Sequence, residues 1–354
     1  MSLYKLPPET LTQIFDQVGS SFFHEDLGRL TVCKQWFEYA LPVFFKCIKL
    51  YQKTLRSLVS SRVMKSPSLL QGRLEILELD LSGYHAPFST LYPENPASEL
   101  DLLKDSGPNE APREHTTETW IKDLGNDLAQ LTIMAQKSHR LRTLRIRARG
   151  YLSPQPLDSS DDYLPLAAMQ ALLSMENLCM LVLDSSVSIL APSGEQGGSH
   201  HICPAIGTLL RTLRTLHVRM RSICPDVLKP QDPNESLHLS EVVVNLSLTT
   251  NLPGITSAAH SKRCGFQEGG LLQLKADIQE KAEALATKMT SPKVVRILTH
   301  TLPQFETQSL DVLTGRTMIL GDDMAWGEDG KTVEEESGSE SELLDEEFET
   351  FLDD

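Results

Sequence analysis

Leu141-Arg-Thr-Leu144-Arg-Ile146-Arg-Ala-Arg149 places apolar side chains at 141, 144, 146 and 148 and arginines at 145, 147 and 149. From Leu144 onward apolar and charged residues alternate, the two-residue period of a strand that buries one face and shows the other to water. The L-x-x-L-x-L template returns at 74–79, 178–183 and 213–218, with a looser copy at 239–244. Helical stretches precede the copies. In 119–135 Ile121, Leu124, Leu128 and Leu131 share one stripe, 164–175 is apolar and helical in character, and 206–210 leads into the fourth copy. Each unit therefore reads helix, short connection, strand. Such a unit cannot cover its own apolar face, so the units are expected to stack with strands on one side and helices on the other. The expected fold class is α/β.

The spacing of the copies is uneven: they begin at 74, 141, 178, 213 and 239, whereas regular repeats of this kind run about 20–29 residues. An irregular array over 51–326 is expected. A Pro-rich stretch at 84–118 reads as a long loop insertion, and 192–199, rich in Gly and Ser, as a second loop. Upstream, 42–50 is strand-like and 54–64 helical. Downstream, 270–289 carries Leu271, Leu274, Ile278, Ala282, Leu285 and Met289 on one helical face. Pro292 stops it, a last strand follows at 294–298, and 310–320 closes the domain.

The first fifty residues are of another kind. In LPPETLTQIFDQVGSSFFHEDLGRLTVCKQW (6–36), Pro7 and Pro8 suit the first turn of a helix and Glu9 places negative charge at its positive end. Leu11, Ile14, Phe15 and Val18 line one face until Gly19-Ser20-Ser21 ends the run. Asp26 and its neighbours cap a short second helix with Leu27 and Leu30. A third begins near Cys33 and carries Trp36, Phe37 and Ala40. Three helices in under forty residues leave apolar surface uncovered.

Leu6-Pro7-Pro8-Glu9, Ile14-Phe15, Asp26-Leu27, Leu30, Val32-Cys33-Lys34-Gln35-Trp36 and Leu41-Pro42 together resemble an F-box. This is the helical module by which substrate receptors dock on the Skp-family adaptor of cullin-RING ubiquitin ligases. The resemblance covers about the first fifty residues and implies that Leu6, Pro7, Pro8, Glu9, Leu11, Ile14, Phe15, Leu27, Leu30, Val32, Cys33 and Trp36 serve adaptor binding. The later units resemble a divergent leucine-rich repeat array of the type found in large fungal F-box families. The asparagine usual in such repeats is replaced by Ser82, Arg149, Ser186 and Arg221.

Charge is unevenly spread. Of the net −15, the stretch 328–354 holds −12, with thirteen acidic residues against one lysine. Like charges in a block repel and stay solvated, so 327–354 is expected to be a disordered acidic tail. The acidity argues against a general nucleic-acid binder. No apolar run approaches the length of a membrane span, and six scattered cysteines without a C-x-x-C pair fit a reducing cytoplasmic or nuclear setting.

No phosphate-binding loop, H-E-x-x-H or G-x-S-x-G is present. No catalytic residue and no cofactor is expected. His200-His201-Ile-Cys203 offers metal ligands but lacks the second pair a closed zinc site needs, so no metal is expected either. Cys33 reads as a small buried hydrophobe. Arg145, Arg147 and Arg149, with Arg219 and Arg221 in the same phase around Val218, point away from the core. They form a basic strip suited to carboxylates or phosphates of a target, or else a solvated face, or one covered by the acidic tail.

The reading these observations favour is a non-enzymatic substrate receptor. Its F-box would reach the Skp-family adaptor, and through it cullin and RING subunits, while the repeat domain holds an unknown protein substrate. The alternative is an F-box protein that serves with the adaptor as a structural or assembly subunit outside a ligase.

Overall fold

The computed structural model describes residues 6–61, 72–83, 111–150, 163–190, 201–248, 260–265, 270–300, 306–321 and 324–332. Within them lie seven α-helices: α1 Pro8–Glu25, α2 Lys34–Phe44, α3 Gln52–Ser60, α4 Ala111–Gln136, α5 Leu166–Leu173, α6 Cys203–Leu209 and α7 Leu271–Ala286. A ten-stranded sheet is built from β1 Cys47–Tyr51, β2 Ile76–Ser82, β3 Thr143–Arg149, β4 Met180–Ser185, β5 Thr215–Met220, β6 Glu241–Asn245, β7 Val294–His300, β8 Thr307–Asp311, β9 Thr317–Leu320 and β10 Lys331–Thr332. The molecule is thus mixed α/β. Its strands lie side by side in chain order, parallel from β1 to β7 and antiparallel from β7 to β10.

Helices follow in the same order: α3 packs on α4, α4 on α5, α5 on α6, and a 3₁₀ turn at Pro225–Leu228 bridges α6 to α7. The first leucine of every template copy is buried between the two layers, at Leu74, Leu141, Leu178, Leu213 and Leu239. One apolar core runs from Ile48 to Ile297. Because each unit exposes its apolar flank to the next, burial propagates along the stack.

A backbone ladder marks the repeat more sharply than the side chains do. The carbonyl of each template's second residue accepts from the next unit: Lys46 from Glu75, Glu75 from Arg142, Arg142 from Cys179, Cys179 from Arg214, Arg214 from Ser240, and Ser240 from Lys293. Residues 45–50 and 292–297 therefore occupy the template too, with Phe45 and Pro292 in the leading position. That gives seven copies among the described residues where the leucine pattern shows five. Helix α4 starts at Ala111, inside the expected 84–118 insertion, and 84–110 lie outside the described residues. Ordered structure also crosses the expected tail boundary, since β10 adds a strand at Lys331–Thr332; 333–354 lie outside the described residues.

The N-terminal helices hold a separate small core of Leu11, Phe15, Phe23, Leu30, Ala40 and Val43. Helix α1 does not end at Gly19; it kinks there, with φ 80° that glycine alone adopts without strain, and resumes to Glu25. The His24 ring meets the carbonyls of Phe44 at 3.2 Å and Cys47 at 2.7 Å, and Lys46 pairs with Asp16 at 2.7 Å, tying the module to β1.

Candidate functional site

The helical module is centred on Phe15, whose ring meets Trp36 edge-on at 4.6 Å and lies 5.8 Å from Phe23. Trp36 is held by its indole N–H, which donates to the Arg29 carbonyl at 2.6 Å. Asp26 caps the 3₁₀ turn Leu27–Leu30 by accepting from the Gly28 N–H at 2.8 Å. These contacts sort the residues assigned to adaptor binding. Leu11, Phe15 and Leu30 are buried in the module's own core and offer no surface, because a bundle this small needs its largest side chains inside. Cys33 is half-buried, and its sulfur accepts from the Trp36 N–H at 3.3 Å as the N-cap of α2. It is a capping residue and not a buried hydrophobe. Trp36 is half-buried, whereas Leu6, Pro7, Pro8, Glu9, Ile14, Leu27 and Val32 are exposed. Val18, Phe22 and Phe37 join them as exposed apolar residues, and Thr10, Gln13, Ile14, Gln17 and Val18 line a shallow groove along α1.

The arginines of β3 and β5 do point away from the helices, with Arg145, Arg147 and Arg149 about half exposed. They do not form a basic strip. Strand register sets Asp80, Arg147, Asp184, Arg219 and Asn245 in one row across β2 to β6, and Lys49, Glu78 and Arg145 in the next row across β1 to β3. Charges alternate along both rows. Arg145 pairs with Glu78 at 3.1 Å, Arg147 with Asp184 at 3.5 Å and Arg149 with Asp80 at 3.8 Å. Arg219 grips Asp184 with two bonds, 2.6 and 2.9 Å, and its guanidinium lies over the Trp326 ring at 4.9 Å. Opposite charges facing across strands stabilise the sheet locally, so much of the positive field is cancelled before any ligand arrives. Arg221 follows β5 and its backbone bonds Ser185.

Farther along, the outward face is covered. Val243, Leu298 and Leu320 form a second small core with Met324 and Trp326 against it. His217 meets Glu241 at 2.8 Å beneath Trp326, and the buried Arg296 bonds the Glu328 carbonyl and the Asp329 carboxylate. The first acidic residues of the expected tail thus do lie on this face, but at β7 and not over the arginines of β3.

A third site gathers side chains that are far apart in sequence. The start of α6 brings His201 and Cys203 together. A two-stranded parallel pairing, Ser222–Ile223 with Lys262–Arg263, carries Cys224 and Cys264 to the same place. The four ligand atoms lie within 4.8 Å of one another, which supplies the second pair of ligands that 200–203 lacks in the sequence. Hydrogen bonds from Cys203 and then Cys264 draw the Cys224 thiol far down, and the bond to Cys224 raises Cys203 well above an ordinary thiol. No sequence motif announces this cluster, because twenty and thirty-nine residues separate its cysteines.

Compared with models of known protein families and with curated proteins, the chain matches none. No helix among the described residues is long and apolar enough to cross a membrane.

Proposed function

We propose that the chain is a substrate receptor of a Skp-cullin-F-box ubiquitin ligase. Residues 6–44 act as the F-box that seats on the Skp-family adaptor, and the array acts as an irregular leucine-rich-repeat-like solenoid that holds a target protein on the outward face of β2–β4. Catalysis belongs to the conjugating enzyme, and this chain contributes proximity.

The observation that carries the reading is the exposed apolar set on the helical module, in the F-box order of residues. Ile14, Leu27 and Val32 stand 36%, 60% and 58% exposed although the module has a complete core of its own. Full burial of such a side chain contributes about 1.5–3 kcal/mol. Association costs roughly 4–15 kcal/mol before net affinity appears, so several anchors must act together. On the sheet, a target carboxylate or phosphate has to compete with Glu78, Asp80 and Asp184 for the arginines. The receptor therefore favours a partner of mixed charge over a purely acidic one.

The test is co-purification of the full chain with a Skp-family adaptor and a cullin, comparing wild type with Ile14→Asp/Val32→Asp. Both positions are outside the core, so circular dichroism should be unchanged while adaptor recovery falls at least tenfold. Equal recovery from both proteins would sink the reading. Adaptor binding without cullin would instead favour an assembly subunit outside a ligase.

A further inference from the structure

We infer that His201, Cys203, Cys224 and Cys264 form a structural zinc site. Zinc prefers four ligands in a tetrahedron, with Zn–S arms of about 2.3 Å, which puts neighbouring ligand sulfurs about 3.8 Å apart. Cys203 Sγ and Cys264 Sγ are 3.8 Å apart, and Cys224 Sγ lies 3.8 Å from Nδ1 and 3.9 Å from Nε2 of His201. All four donor atoms fall within 4.8 Å, so a single ion reaches each with small side-chain adjustments. At 3.8 Å Cys203 Sγ and Cys264 Sγ are not bonded to each other, and three cysteines cannot all pair.

The donor set selects the metal. Three thiolates and one imidazole suit zinc and exclude the hard cations magnesium and calcium, which take oxygen ligands. Four protein ligands leave no open position, so the site is structural and not catalytic. Binding displaces the thiol protons and leaves a net charge of −1 on the metal and its ligands. Asp226, whose carboxylate is 3.6 Å from Cys224 Sγ, stands outside the four.

The surroundings fit a built site. Cys203 and Cys224 are buried, while His201 and Cys264 are half-buried. Gly207, one turn along α6 from Cys203, lies so close to the Pro225–Leu228 turn that a Cβ there would meet the carbonyl oxygens of Lys229 and Asp226 at 2.6 and 2.7 Å. That approach sets the start of α6, with Cys203, beside the turn that follows Cys224. Cys264 is set by its N–H, which donates to the Ile223 carbonyl at 3.3 Å. The metal would add one cross-link common to the start of α6, the segment after β5 and the 260–265 segment.

Metal content of tag-free full-length protein, purified without chelator and measured by plasma mass spectrometry, tests this independently of adaptor binding. One zinc per chain is expected. Chelator-stripped, reduced protein should take up one equivalent of Zn²⁺, and Co²⁺ in its place should give the visible absorption of a tetrahedral thiolate site. Cys203→Ser/Cys264→Ser should lower bound zinc at least tenfold, whereas His201→Cys, which makes a four-sulfur set, should keep it. Should the double variant fold poorly, alkylation of the wild type decides: Cys203, Cys224 and Cys264 should resist until chelator is added, and Cys33, Cys47 and Cys179 should react regardless. The inference is overturned if the reduced wild type binds less than a tenth of an equivalent of added Zn²⁺. It is equally overturned if alkylation ignores chelator, or if thiol-trapped protein holds a Cys203–Cys264 disulfide.

Discussion

The outward face of the sheet is built in two ways on one scaffold. Across β2–β4 it shows Glu78, Asp80, Arg145, Arg147, Arg149 and Asp184, paired strand to strand with the arginines about half in water. Across β6–β7 the equivalent positions are Val243, Asn245, Arg296 and Leu298, all buried, with Leu320, Met324 and Trp326 packed against Val243 and Leu298. Strand pairing is parallel and in register in both halves. What differs are the outward residues of the template copies: Glu78, Asp80, Arg145, Arg147 and Asp184 are charged and paired, whereas Val243 and Leu298 are apolar. Among the described residues the charges of β2–β4 are satisfied laterally. The closed half has apolar outward residues and a nearly buried arginine, and needs a lid.

Removing the lid should have the largest effect. Truncation after Gly321 uncovers Val243 and Leu298 and leaves the buried Arg296 guanidinium without its bonds to Glu328 and Asp329, at a cost of about 3 kcal/mol for that group alone, the range for a hydrogen-bonded charged group left unsatisfied at a buried position. Chemical denaturation should show the loss, and an apolar dye should bind the truncated protein. If stability were unchanged, the lid would be an incidental contact. Next, Leu298→Ala should cost roughly 3 kcal/mol, in the usual range for a buried leucine, while leaving the β2–β4 face and any partner it binds unaffected. A substitution in the open half should cost less. Asp184→Ala breaks the two bonds from Arg219 and the contact with Arg147, for about 2 kcal/mol, as expected of hydrogen bonds to a charged group at a partly buried site. It should also free both arginines and tighten binding of an acidic probe peptide, measured by fluorescence anisotropy; weaker binding would mean that Asp184 positions them. The smallest effect is expected for Arg145→Ala, below about 1 kcal/mol because its pair with Glu78 is solvated. Any large destabilisation there would show that the ladder is a structural element and not a surface.

Legibility followed the range of the interactions. The template leucines were plain in the sequence because alternation is a local signal, and all five copies form adjacent parallel strands. The copies at Phe45 and Pro292 were hidden, since their leading residues break the leucine pattern while their backbone carbonyls and N–H groups keep it. The module's helices were legible from their apolar spacing and from Pro7, Pro8 and Asp26. Which apolar residues turn inward was not: Leu11 and Ile14 lie on one predicted face, yet Leu11 is 3% exposed and Ile14 36%. The arginine phase was correct, but the acids opposite came from other units.

The sequence by itself determined the helix-then-strand order of the leucine-marked units, the two-residue phase that sends Arg145, Arg147 and Arg149 outward, and the apolar spacing of the N-terminal helices. These depend on residues within a turn or a strand of one another. Only the tertiary structure decided that the arginines are neutralised, that Trp326 and Asp329 close one half of the face, and that Cys224 and Cys264 reach His201 and Cys203. Each of those outcomes joins residues from separate units, and the uneven intervals between units leave cross-strand register unreadable until the strands are side by side.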